Sequence, residues 1–244
     1  MPSLSLTDTR YTNIQNAPVL AMGISEANKL AKSLNLSSLP AVPLELQTIT
    51  GIRQGKSFLN EQFTLENLKK QRGQQAIPIV HLATHGEFKP GPVANSYMLL
   101  WDEQLRLNQL RQLGWNNTRS PVELLVLSAC RTAVGDEKAE LGFAGFAVQA
   151  GVKSALASLW YVSDEGTFGL MAEFYRQLKT APIKAEALRQ AQLAMIKGEV
   201  RVENGEMRYP GGDIPLPSSL ADLGDKNLSH PYFWSAFTMI GSPW

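Results

Sequence analysis

The chain has 244 residues, enough for one large domain with a substantial core. Its 23 Lys and Arg against 22 Asp and Glu leave a net charge of +1, so no global field draws it to nucleic acid or to an anionic membrane. A single cysteine excludes an internal disulfide, and neither a signal-peptide pattern nor a run of about 18 apolar residues occurs, the profile of a soluble cytoplasmic protein.

Residues 1–17 are polar and aperiodic apart from Leu4 and Leu6, and read as a lead-in segment, such as the cut end of a longer polypeptide. Residues 18–24 (PVLAMGI) form a first buried strand, ended by Ser25. Val42, Leu46 and Ile49 share one helical face, with Pro43 in the first turn where it is tolerated. Residues 58–63 suit a short strand. Thr64 then starts a second helix with Leu65 and Leu68 inward, and Gly73 is its expected stop.

The apolar run 77–83 ends at Thr84, His85 and Gly86. Residues 96–107 alternate Tyr97, Leu99 and Trp101, turn at Asp102 and Glu103, and resume at Leu105 and Leu107, as a hairpin would. A short helix, 108–113, ends at Gly114. Val122 and Leu124 to Leu127 make a nearly continuous apolar run, followed by Ser128, Ala129 and Cys130. Such a run suits a strand buried on both faces of a parallel sheet, and the polar residues after Cys130 predict its end there.

Residues 141–150 are small and apolar, a helix able to lie close to a sheet, and 155–162 (ALASLWYV) are a further strand with Asp164 just past its end. Leu170, Phe174 and Leu178 share one helical face. Pro182 opens another helix that Gly198 closes. Asn204-Gly205 between alternating Val200, Val202, Met207 and Tyr209 is a strong hairpin signal. Residues 210–229, rich in Pro, Gly and Asp, read as a surface loop, and 237–240 as a last strand. The repeated β-then-α pattern with two hairpin insertions predicts one doubly wound α/β domain over 1–244, a mostly parallel sheet with helices on both faces.

Two of these strands deliver an imidazole and a thiol to one rim. In open α/β sheets the carboxyl-end rim is where ligands bind. A catalytic Cys–His pair needs spatial adjacency, and the 45 residues between His85 and Cys130 match strand, crossover and strand. The imidazole would take the thiol proton and the thiolate would be the nucleophile. The alternative is a cysteine that only fills space and a structural histidine. Gly86, which lets backbone approach a ligand closely, favours the catalytic reading.

Other motifs fail. His81 and His85 have the H-x-x-x-H spacing, but Leu82 stands where a zincin needs Glu, so His81 reads as a packed or hydrogen-bonded sheet histidine. Asp136 occupies the place of the arginine that a Cys-x5-Arg phosphatase needs, and the glycines before Lys153 and Ser154 miss the phosphate-loop spacing. His230, before Pro231, has no evident partner. No cofactor and no metal are implied.

HLATHG (81–86), LLVLSACRTA (124–133), AGVKSALASLWYVSD (150–164) and the closing FWSAFTMIGSPW (233–244) together resemble the CHAT family, caspase-like domains of the clan of caspases and separases. The resemblance covers essentially the whole chain and implies the caspase-like fold. The caspase signature Q-A-C-x-G is absent, with Ser128 in the Gln place and Thr132 in the Gly place, so preference for aspartate is not implied. The resemblance implies a His85/Cys130 dyad and an oxyanion hole from the backbone N–H groups of Gly86 and Cys130. It further implies attachment to TPR or other helical repeats, a regulatory region or partner that these residues do not contain.

The expected activity is therefore that of a cysteine protease, an endopeptidase acting on a protein or peptide substrate, with no part for nucleic acid or membrane. The rival is a catalytically silent caspase-like interaction module; an acyl transferase using the same thiol is a third reading. By resemblance to separases and CHAT proteases, Asp164 would receive a basic P1 side chain of the substrate. Its other reading is a helix cap, shared with Ser163.

Overall fold

Short apolar runs that stop at small or polar residues become the strands of one central sheet. The computed structural model describes residues 10–89, 93–115, 121–128, 130–132 and 143–244, with backbone alone at 88, 93, 130–132 and 143. In chain order the elements begin with β1 (Val19–Gly23), α1 (Lys29–Ser33), α2 (Val42–Ile52), β2 (Gly55–Leu59), α3 (Leu65–Gln74) and β3 (Ile79–Ala83). Next come β4 (Gly86–Phe88), β5 (Tyr97–Leu99), β6 (Gln104–Arg106), a 3-10 turn (Leu107–Leu113), β7 (Leu124–Leu127) and β8 (Cys130–Thr132). After α4 (Phe143–Gln149) and β9 (Ser154–Ser158) follow the long helices α5 (Asp164–Gln177) and α6 (Lys184–Ile196). The chain finishes with β10 (Arg201–Glu203), β11 (Glu206–Tyr209), β12 (Gly212–Pro215), α7 (Ser218–Ala221), β13 (Lys226–Asn227), α8 (Pro231–Trp234) and β14 (Phe237–Gly241).

The large sheet has the order β14-β9-β7-β3-β1-β2 and is parallel except for β14. Strand alternation splits its side chains between two cores. Val19, Ala21, Ile79, Leu124 and Val126 pack with α2, α5 and α6; Leu20, Met22, Val80, Leu82, Leu125 and Leu127 pack with Leu68, Trp115 and Ala147 on the other face. This is the expected doubly wound, mostly parallel α/β sheet with helices on both faces. From β1 the chain steps outward to β2, then returns to β3 and runs the other way, so the strand order reverses between β1 and β3. A crevice outside the carboxyl ends of such a pair is the natural site of an open sheet.

Helix α2 starts hard against that crevice. A Cβ added at Gly23 would lie 2.6 Å from Val42 Cγ1 and 2.8 Å from the Ala83 carbonyl oxygen. Only glycine lets β1, β3 and the first turn of α2 meet so closely. Among the described residues no helix is long and apolar enough to cross a membrane.

Several elements differ from the sequence expectation. Residues 210–229, expected as a surface loop, carry β12, α7 and β13, and with the hairpin they form a four-stranded sheet ordered β12-β11-β10-β13. Its strands are two to four residues long, too short for their alternation to stand out from Pro, Gly and Asp. The hairpin itself is as expected: Glu203 pairs with Glu206, and Asn204 and Gly205 have φ of 55° and 76°, the signature of a type I′ turn. Helix α1, capped by Asn28 accepting from Ala31 N–H at 2.9 Å, has too few apolar residues to announce itself. The chain does not leave sheet structure after Cys130: residues 130–132 form β8, in a third sheet ordered β6-β5-β4-β8.

Candidate active site

The strands β3 and β7 pass from the large sheet into the small one at the same level. Leu82 faces Leu127, an offset of 45 residues, whereas Gly86 faces Cys130, an offset of 44. One extra residue therefore sits on the His85 strand at the break, a bulge of the kind that re-aims a side chain. Ser128 N–H donating to the Leu82 carbonyl at 3.0 Å closes the last rung before it. Neighbouring strands lie about 4.8 Å apart, so the backbones of Gly86 and Cys130 are adjacent. The sequence-predicted nucleophile thus lies on β8, and the predicted base stands one residue before the strand β4 that pairs with it. The Cys130 side chain lies outside the described ones.

His85 is held from two directions. Thr84 Oγ1 donates to the Leu99 carbonyl at 2.7 Å, and Leu99 N–H donates to the His85 carbonyl at 2.8 Å, which lashes the turn to β5. The His85 ring places Nε2 2.7 Å from the Ser37 carbonyl oxygen. A carbonyl only accepts, so Nε2 carries the proton and Nδ1 is the basic nitrogen of the neutral ring. Gly86 and Cys130, named as oxyanion donors, stand opposite each other in this ladder.

Asp164 begins α5, and the cap of that helix is Ser163, whose hydroxyl accepts from Gly166 N–H at 3.3 Å. The Asp164 carboxylate instead accepts from Ala41 N–H at 2.8 Å, at the start of α2. Burial pushes its pKa up to about 7; the nearby Glu45 and Glu165 carboxylates push the same way, and the Ala41 N–H pulls against them. Ser37 and Ala41 lie on one loop, four residues and so at most about 14 Å apart. That loop ties His85 and Asp164 to the same rim.

Sequence reasoning missed Glu45. It lies on the inward face of α2, 2% exposed, and its Oε1 accepts from Ser128 Oγ at 2.5 Å. His81 Nε2 is 3.1 Å from the same oxygen, close enough for charge attraction but not aligned as a hydrogen bond. The other ring nitrogen is 3.2 Å from the Tyr175 hydroxyl, and the two rings meet edge on. Burial pushes the Tyr175 hydroxyl well above its usual pKa. Four buried polar side chains thus tie α2, β3, β7 and α5 together two residues before Cys130. His81 is the packed sheet histidine that its position suggested. The available signal for Glu45 was spacing: it stands three residues after Val42 and four before Ile49, on the apolar stripe. His230 caps α8, its Nδ1 accepting from Tyr232 N–H at 3.2 Å.

Compared with known proteins, residues 1–242 match the family model of the CHAT domain. No curated protein matches the sequence.

Proposed function

The chain belongs to the CHAT domain family, caspase-like in fold, and on that premise we propose that it is a cysteine endopeptidase with Cys130 as nucleophile and His85 as general base and acid. The observation that carries this reading is the β4–β8 pairing, which sets Gly86 opposite Cys130 at the carboxyl rim. In the proposed cycle His85 Nδ1 takes the thiol proton, and the thiolate attacks the scissile carbonyl carbon. The Ser37 carbonyl, accepting from Nε2–H, steadies the imidazolium that results. The negative oxygen of the tetrahedral intermediate is received by the N–H groups of Gly86 and Cys130; one such donor contributes about 2.7–4 kcal/mol. The intermediate expels the amine, which takes its proton from the imidazolium, and water then hydrolyses the thioester with His85 again as base.

Asp164 is the proposed recipient of a basic P1 side chain, an arginine bidentately or a lysine as a point charge. Its bond to Ala41 engages one oxygen, Oδ2. The proposed partners are a protein or peptide substrate and a helical regulatory region of the TPR kind.

The experiment is labelling of the folded protein near neutral pH with an acyloxymethyl-ketone probe, followed by peptide mapping. Label on Cys130, lost in Cys130→Ser and strongly slowed in His85→Ala, is expected. An unlabelled Cys130 in folded protein overturns the reading. Fluorogenic peptides with Arg, Lys, Asp or Leu at P1, run on the parent and on Asp164→Ala, test the pocket; a parent preferring Asp or Leu removes it.

One observation favours a second reading, a caspase-like module that binds partner segments without cleaving them: the His85 residue is only 9% exposed. Under that reading Cys130→Ala leaves partner binding intact and none of the four peptides is cleaved.

A further inference from the structure

At the amino end of the large sheet, away from the rim that holds His85, residues 15–17 and 52–54 meet just before β1 and β2 begin. Lys179 joins them from beyond the end of α5. Arg53, Lys179, Gln54, Asn16 and Gln15 line a cavity of about 350 Å³, and no carboxylate is among the lining residues. That volume is in the range of small-molecule sites.

Arg53 is the unusual member. It is 4% exposed; Nη2 donates to the Ile14 carbonyl and Nε to the Ala17 carbonyl at 3.3 Å, but Nη1 has no hydrogen-bond partner among the described residues. Buried cations are normally matched by carboxylates. Lys153, also largely buried, does bond a carboxylate, Glu123 at 2.7 Å, whereas half-buried Arg72, like Arg53, bonds carbonyls only and leaves one nitrogen without a partner among the described residues. Among the described residues no ion pair involves Arg53 or Lys179. Burial holds the Arg53 guanidinium below its ordinary pKa, with the Tyr175 hydroxyl the one group acting against it.

The bland account is that both cations offset helix dipoles, since Arg53 caps the end of α2 and Lys179 follows the end of α5. Each helix end supplies roughly half a negative charge, about one in all, against two full positive charges. About one positive charge is left over, and the dipoles leave Nη1 unexplained. Gln15 is already committed, its Nε2 donating to the Ala181 carbonyl at 3.0 Å, whereas Asn16 and Gln54 are exposed amides at the mouth.

We propose that this cavity binds a small phosphate-bearing anion, with Arg53 and Lys179 supplying charge and the Asn16 and Gln54 amides supplying hydrogen bonds. With Nε and Nη2 held by the Ala17 and Ile14 carbonyls, Arg53 contributes fixed positive charge at the cavity wall, and exposed Lys179 supplies the accessible ammonium, a point charge suited to phosphate. The site is independent of whether Cys130 is catalytic.

The test is thermal unfolding of the full chain with inorganic phosphate or pyrophosphate, against potassium chloride at matched ionic strength. A ligand that binds only the folded state raises Tm in a saturable way. Multivalent anions also stabilise proteins generally, by exclusion from the surface. Lys179→Glu and Gln54→Glu separate the two effects, because both side chains are exposed and neither disturbs the Arg53 bonds. We expect a saturable rise in the parent with pyrophosphate and binding at least about tenfold weaker in either variant, a loss of about 1.4 kcal/mol. Response to pyrophosphate but not to phosphate identifies a polyphosphate ligand. No saturable rise, or the same rise in parent and both variants, overturns the proposal. Isothermal titration of the parent and Lys179→Glu, both folded, separates the same outcomes without heating.

Discussion

Replacing Asp164 by Asn should change the stability of the protein in a pH-dependent way. In the folded chain the carboxyl titrates at about 7, against an ordinary value of 3.8. Below 3.8 both folded and unfolded chains hold the proton, and the group makes no difference to stability. Between the two values the unfolded chain releases its proton while the folded chain keeps it, so stability falls as pH rises. Above about 7 the penalty is complete. At about 1.36 kcal/mol per pH unit the window corresponds to about 4 kcal/mol. Asp164 is partly exposed, and solvent screening trims this to about 2 kcal/mol.

Asn keeps an oxygen for the Ala41 N–H but cannot ionise, so the variant should match the parent in acid and be about 2 kcal/mol more stable above the folded pKa. Urea midpoints followed by tryptophan fluorescence, with equal m-values, measure the gap at each pH. A gap that does not change with pH, or a variant less stable than the parent in alkali, refutes the argument. If Asp164 receives a basic P1 side chain, preference for Arg and Lys should rise as the pH passes about 7, where the folded carboxyl ionises, because only the carboxylate attracts the cation.

His81→Ala should cost about 3 kcal/mol, since it leaves a cavity beside the buried Glu45 carboxylate and takes the ring nitrogen from the buried Tyr175 hydroxyl; His85→Ala, which gives up the bond to the Ser37 carbonyl, should cost less, both read from urea midpoints. Gly205→Val should lower stability by about 2 kcal/mol through backbone strain alone, because a Cβ there meets nothing closer than Ala221 at 3.4 Å. An unchanged Tm in that variant would refute the type I′ assignment. Gly23→Ala should cost about 1–3 kcal/mol by pushing Val42 or Ala83 aside, again read from the urea midpoint; a neutral result would mean that α2 can shift away from the rim.

Periodicity made the central sheet legible. Runs such as Leu124 to Leu127 are buried on both faces, and caps such as Thr64, which accepts from Asn67 N–H at 3.1 Å, work as local chemistry predicts. Pattern reading failed where the structure depends on pairing at a distance. The three residues of β8 look like the end of a strand, because Arg131 and Thr132 gain a partner only when β4 lies alongside. Residues 210–229 are drawn into a sheet by the register that the Asn204-Gly205 hairpin sets. At the site, His85 and Cys130 stood out because each closes an apolar run. Glu45 did not: a carboxylate on a helix is ordinarily solvated, and only the arrival of Ser128 and His81 makes its burial tolerable. Ser37 contributes a backbone carbonyl, which no residue type can announce.

The edge of the large sheet has a consequence for synthesis. The outer side of β9 is closed only by β14, and 79 residues separate Ser158 from Phe237. At about 5–20 residues per second, a ribosome needs roughly 4–16 s to cover that distance. Through that interval β9 would present an unpaired row of backbone donors and acceptors, the template on which nascent chains aggregate. Its sequence, Ser-Ala-Leu-Ala-Ser, has no β-branched or aromatic residue and little to interlock with a neighbour, whereas the late strand that covers it brings Phe237, Thr238 and Ile240. The strand that waits is the weak one, and the strand that arrives last is the strong one.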